Sequence, residues 1–145
     1  MTGVPDDLAS RILDGSPDAV VVCDRAGTVR YWNASAERTF GFGASEALGV
    51  SMDFIIPERF RARHWAGWEA AIETGASRYA AGQLLAVPAL HKDGRQISIE
   101  FSIQFVLAAD ARVNWVAAFI RDVTERHRRE KALRAELSAL KAGSG

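Results

Sequence analysis

The sequence holds a single cysteine, Cys23. That excludes an intramolecular disulfide and any cysteine-based zinc site. It has no surplus of charge, with eighteen Lys and Arg against eighteen Asp and Glu, so it presents no global basic footprint for nucleic acid or an anionic membrane. No apolar run approaches the roughly 18 residues a membrane helix needs. The opening MTGVPDDLAS has neither a basic n-region nor a long apolar stretch, so no signal peptide is expected. Glycine-rich nucleotide loops are missing, as is any Ser/His/Asp set with credible placement. His127 is not followed by the proline-containing pattern of a phosphoacceptor helix. These absences point away from an enzyme, and the expected location is the cytoplasm. Any catalytic output is expected from another chain or from further sequence.

What remains is an ordinary composition, 48% hydrophobic and 25% charged, in 145 residues, enough for one domain with a sizeable core but hardly for two. DDLASRILDGS at 6–16 has Leu8, Ile12 and Leu13 on one side and predicts a short amphipathic helix. DAVVVCD, the turn RAG and TVRYW predict a hairpin. Asn33 is a good N-cap with Glu37 shortly after, so NASAERTFG starts a helix. ASEALG predicts another short one, closed by Gly49. The second half is β: three strands are expected between Gly82 and Val123, the first two joined at the Lys-Asp-Gly turn 92–94. In the middle strand Ile97, Ile99, Phe101, Ile103 and Phe105 alternate with Ser98, Glu100, Ser102 and Gln104, a period of two with one buried face. Two strands, several helices and three strands imply an α+β fold, one antiparallel sheet with helices on one face. The boundaries are a flanking helix at 5–16, a core at 17–123, and a charged helix at 124–142 whose Leu133, Leu137 and Leu140 form a short coiled-coil seam. A helix that short is marginal alone, so it is expected to pair or to continue. The basic run RHRRE at 126–130 is interleaved with glutamates and reads as a solvated helix face.

One segment between the two β regions carries a histidine inside an apolar stripe. PERFRARHWAGWEAAIETG, residues 57–75, reads as a helix: Pro57 suits a first helical position, Glu58 lies near the positive end of the dipole, and Gly75 suits a left-handed cap. Phe60, His64, Trp68, Ala71 and Ile72 share a face, while Arg59, Arg63, Glu69 and Glu73 fall mainly on others. His64 therefore belongs to the inward or boundary side. His91, in a turn, and His127, in the charged helix, are expected to be solvated. Cys23 reads as a small buried hydrophobe.

With these elements in place, SPDAVVVCDRAGTVRYWNASAERTFGFGASEALG, then KDG, then FIRDVTER resembles a PAS sensor domain over roughly residues 10–127. The resemblance implies a five-stranded antiparallel sheet and a helical flank enclosing a small pocket, with flanking N- and C-terminal helices. It also implies that the terminal helix passes a signal to an effector or a dimer partner. Such folds host many ligands and sometimes none, so the pocket must decide the function.

His64 matches the proximal ligand position of haem-binding members of that family. It follows a proline within one helix, precedes the aromatic Trp68 by one turn, and stands 28 residues before Lys92, close to that subclass's register. The resemblance thus implies haem b, with His64 as the metal ligand and Trp68, Ile72, Leu84, Leu85, Phe101, Ile103, Val116, Ala118 and Ile120 as an apolar slot. Arg78 matches a position where such domains hold a propionate partner. The chain departs from the oxygen sensors on the distal side, where Gln83, Leu84 and Leu85 stand in place of an arginine or methionine donor, and Ala70 replaces another propionate arginine. Nitric oxide, carbon monoxide or redox sensing is left more open than oxygen sensing. The alternative is a haem-free interaction module, empty or holding an apolar metabolite. A flavin is a third option without obvious donors for it, and the cysteine motif of photoreactive flavin domains is absent. Either main reading implies a homodimer, built on the outer sheet face around Trp115 and on the terminal helices through Leu133, Leu137 and Leu140. Trp65 is expected in helix-to-sheet or surface packing.

Overall fold

Val21 pairs on one side with Trp32 and on the other with Ala118, so the first strand of the chain lies between the second and the last. This computed structural model describes residues 3–75 and 84–143. Its elements are α1 (Leu8–Asp14), β1 (Ala19–Asp24), β2 (Val29–Trp32), α2 (Ala34–Phe40), α3 (Ala44–Ala47), a 3-10 turn (Met52–Ile55), α4 (Glu58–Thr74), β3 (Leu85–Leu90), β4 (Gln96–Leu107), β5 (Val113–Asp122) and α5 (Thr124–Gly143). The strands form one antiparallel sheet in the order β2-β1-β5-β4-β3. Pro88, which has no N–H to give, sits in the edge strand β3.

The alternation expected in β4 holds. Ile97 and Ile99 are buried in the core cluster with Val21, Val29, Trp32, Phe40 and Ile120. The two predicted turns are built as their residues dictate. Asp24 accepts from the backbone N–H groups of Ala26 and Thr28, and Gly27 takes the left-handed φ of +83° between them. At the second turn Gly94 has φ +92°, and Lys92 N–H donates to Phe40 O at 2.8 Å. That bond presses the turn onto the end of α2. His91 is consequently not solvated as the turn position suggested: its ring is mostly covered, close enough that a Cβ on Gly41 would lie 2.6 Å from it. Pro57 is also one position earlier than expected, capping α4 rather than opening it.

Asn33 organises the first corner. Its Oδ1 accepts from Val20 N and from Ala36 N, both at 2.9 Å, while its Nδ2 donates to Leu13 O at 2.9 Å and Asp18 O at 3.1 Å. One side chain thereby caps α2, meets β1 and holds the end of α1. Elsewhere α1 is loosely seated, since Leu8 and Ile12 are exposed and the stripe expected to face inward touches the protein chiefly at Leu13. At the other end of the chain, Val123 N–H donates to Ser98 O at 2.8 Å, Ser98 N–H donates to Thr124 Oγ1 at 3.0 Å, and Arg126 pairs with Glu100 at 2.8 Å. The root of α5 is thus fastened to β4. No helix among the described residues is long and apolar enough to cross a membrane.

Replacing Asn33, which is 3% exposed, removes a cap and strands two buried backbone N–H groups. Asn33→Ala is expected to lower unfolding free energy by about 3 kcal/mol, read from urea denaturation.

Candidate ligand cavity

Helix α4 crosses the inner face of the sheet but has no fully buried residue. The reason is that its inward stripe faces a hollow. A cavity of about 810 Å³ lies between α4, the 3-10 turn and strands β1, β3, β4 and β5, within the usual range for small-molecule and cofactor sites. Phe60, His64, Trp68, Ala71 and Ile72, grouped by helical spacing, all line it.

The slot residues inferred from sequence converge there too. Leu84, Leu85, Phe101, Ile103, Val116, Ala118 and Ile120 each contribute to the wall. Arg78 and Gln83 lie outside the described residues. The register accounts for the convergence: Leu85 pairs with Phe101, Phe101 with Ile120, Ile103 with Ala118, and Phe105 with Val116, so each pair presents both side chains to the same face. Several wall residues were not legible beforehand, among them Met52, Ile55 and Ile56 from the 3-10 turn, and Cys23. Arg63, assigned to another face of α4, reaches the cavity edge with its charge exposed.

Two tryptophans hold α4 in place. Trp68 Nε1 donates to Arg25 O at 2.8 Å in the first β-turn, so its indole lines the cavity with no donor left for a ligand. Trp65 packs its six-membered ring against Gly27 in the β1–β2 turn, and its Nε1 donates to Asp53 Oδ1 at 2.7 Å. Arg61 Nε donates to Ile56 O at 3.0 Å, and Arg59 reaches Gln96 at 2.7 Å. The helix is therefore attached by polar tethers around its margin.

The cavity's polar chemistry is sparse. His64 Nδ1 is the buried side-chain nitrogen or oxygen without a hydrogen-bond partner among the described residues. The ring contacts Trp65 at 4.6 Å between centroids, nearly perpendicular, and Trp68 at 5.8 Å. Burial pushes the imidazole pKa below its ordinary value, opposed in part by the Asp53 carboxylate, which keeps the ring neutral with a lone pair to offer. Cys23 Sγ lies 3.8 Å from Met52 Sδ. Burial and the neighbouring Asp24 charge push its thiol up to about 12, so it stays a neutral wall atom, as its apolar setting in sequence suggested. No cluster of three or more His, Cys, Asp or Glu side chains suited to a metal ion occurs among the described residues. A metal held here would come with its own equatorial ligands.

An antiparallel sheet with helices on one face and an apolar cavity between them defines an α+β domain with room for a small molecule. The chain belongs to the PAS family: the model described as "PAS fold" matches residues 13–128. An uncharacterized protein of Azorhizobium caulinodans is 33% identical over 133 residues, covering 90% of this chain and 18% of that protein. The sensor protein FixL of Bradyrhizobium diazoefficiens is 29% identical over 128 residues, 88% of this chain and 25% of that one. The chain thus spans a quarter or less of these curated relatives' length. Among solved structures, a PAS domain from Colwellia psychrerythraea superposes with a TM-score of 0.70 at 21% identity, covering 81% of this chain and 95% of that one. An RNA-binding light-oxygen-voltage receptor gives 0.73 at 24%, over 95% and 40%. At these identities the structural likeness speaks for the fold alone.

His64 carries a stability signature of its own. Its depressed pKa means that the unfolded chain binds the proton more readily, so His64 costs stability as pH falls below about 6.5 and nothing above it. His64→Leu, which removes the unpaired nitrogen, is expected to stabilise the ligand-free protein by about 1 kcal/mol at pH 7.5. It should also flatten the loss of stability between pH 6.5 and 5, measured by urea titration at each pH.

Proposed function

We propose that this PAS domain is a haem-based gas or redox sensor in which His64 would hold haem b through an imidazole nitrogen. The observation that carries the reading is the neutral imidazole of His64 in the wall of a large apolar cavity. The residues suit the group. Leu84, Leu85, Phe101, Ile103 and Ile120 would contact the macrocycle, and the guanidinium of Arg63 at the edge suits a propionate carboxylate. Arg78 remains the partner implied by the family resemblance. Haem supplies a metal that binds diatomic gases and changes redox state. Leu84 and Leu85, standing where oxygen sensors of the family carry a donor, offer only hydrocarbon, which favours nitric oxide, carbon monoxide or electron transfer over oxygen as the signal.

The chain's own part is to bind, to report and to transmit. Phe101 and Ile103 touch the cavity from one face of β4, and Ser98 and Glu100 on that strand hold the root of α5. A ligand shifts the helix only by the difference in its affinity for two arrangements of this junction. Transmission is proposed to run through a homodimer. Trp115 is 37% exposed on the outer face beside the exposed Val106, and Leu133, Leu137 and Leu140 of α5 are exposed as well. The reading includes a cytoplasmic setting, binding rather than catalysis, and neither nucleic acid nor a membrane as partner. The same exposed face also favours a second reading, an interaction module with no haem and an empty or metabolite-filled cavity.

An absorption spectrum of protein produced with haem supply, beside His64→Ala, separates the two. A strong Soret band in the wild type that His64→Ala abolishes is the expected result. A wild type left colourless after hemin addition sinks the haem reading. For the interface, Trp115→Glu combined with Leu137→Glu is expected to convert a dimer to a monomer in multi-angle light scattering at micromolar concentration. A wild-type monomer there would remove the proposed transmission route.

A further inference from the structure

The ring that the proposed function depends on has no hydrogen bond at its buried nitrogen. A ligating histidine usually donates its second N–H to a carboxylate, a carbonyl or water, and that bond sets the ring's orientation. Here the imidazole packs instead against two indoles. Trp65 meets the imidazole nearly at right angles, at 82° and 4.6 Å, and Trp65 is itself tightly located. Its Nε1 donates to Asp53 Oδ1 at 2.7 Å. Its six-membered ring lies over Gly27, where any Cβ would overlap it. Glycine therefore serves twice at that turn, allowing the positive φ and leaving room for the indole.

The seat is rigid because its two parts are joined. Met52 N–H donates to Gly27 O at 3.0 Å, tying the 3-10 turn to the first β-turn. Within the 3-10 turn, Ser51 Oγ accepts from Asp53 N and Ile56 N–H donates to Asp53 O. Gly27, Asp53 and His64 thus surround one indole from three elements of the fold. We infer that Trp65 is the positioning residue for His64, and that Asp53 acts through it by holding the indole N–H. The inference rests on the reading of His64 as the ligand-binding side chain, but the positioning can be measured without any ligand.

The test compares Asp53→Ala with Asp53→Asn in the full chain, leaving both rings in place. In hemin-free protein, proton–proton contacts between the His64 and Trp65 rings and the imidazole ¹⁵N shifts report the ring's orientation and tautomer. Hemin titration reports the consequence. Asp53→Ala is expected to lose the inter-ring contacts and to weaken hemin binding about tenfold, the scale of losing an outer partner of a ligating histidine. Asp53→Asn keeps a hydrogen-bond acceptor and should restore both. Trp65→Phe, which keeps a ring but not the N–H, should weaken hemin binding as Asp53→Ala does, and its folding is checked by circular dichroism. A folded Asp53→Ala with wild-type ring contacts overturns the inference. So does an Asp53→Asn that fails to restore them, because charge rather than the hydrogen bond would then be at work. If Asp53→Ala does not fold, Trp65→Phe decides through the imidazole ¹⁵N shifts, and unchanged shifts overturn the inference. A wild type without a Soret band overturns the haem reading alone, since the ring contacts still decide the positioning.

Discussion

The constraint that governs this structure is a helix held over a sheet without filling the space between them. Protein interiors otherwise close to crystal-like density, because each unfilled gap forfeits dispersion contacts. Helix α4 is held through directional bonds as well as by Phe60 and Trp68, which pack against the core. Trp65 is bound to Asp53, Trp68 to Arg25 O, Arg61 to Ile56 O and Arg59 to Gln96. Hydrogen bonds fix a distance, whereas apolar contact alone would shorten it. The result is a helix with a defined position and no fully buried residue.

The tightest packing lies in the part of the core that adjoins the hollow. Trp32 packs against Phe40 and Phe54 at 5.4 and 5.5 Å, and Phe42 against Phe54 at 4.8 Å. Asn33 satisfies backbone groups of three neighbouring segments. The second turn is clamped to the same region by Lys92, through its N–H to Phe40 O and its ammonium to Glu46 at 2.7 Å. The exposed ion pair adds little, but the backbone bond and the seating of His91 on Gly41 set where the β3–β4 hairpin stands over the sheet. A well-packed corner and a hollow half thus share one sheet, which keeps the hollow from being a general weakness.

Strand β4 belongs to both the cavity and the exit. Ile99, Phe101 and Ile103 look into the hollow, while Ser98, Glu100 and the backbone between them receive the start of α5. Because side chains alternate along a strand, the cavity wall and the seat of α5 lie on opposite faces of β4 with no intermediate layer. The polar content of the cavity is confined to one side, where a neutral imidazole lies beside a charged guanidinium.

The period-two run of β4, the turns at Gly27 and Gly94, the Asn33 cap and the apolar stripe of α4 were all legible in the sequence. Each is a consequence of local backbone geometry, and so was the fold those elements imply. His64 was legible as an inward residue because helical spacing says which residues share a face. What spacing cannot say is what stands opposite that face. The strand order that sets β1 against β5, the arrival of Met52 and Cys23 at the same wall, and the emptiness before α4 depend on contacts between distant segments. His91 shows the same limit: its turn residues predicted exposure, and a hydrogen bond from Lys92 to the end of α2 decided otherwise. The chain alone determined which residues point inward. Only the tertiary structure decided that they point into a cavity, and that an indole seated on Gly27 and Asp53 packs against the imidazole whose buried Nδ1 is left unpaired among the described residues.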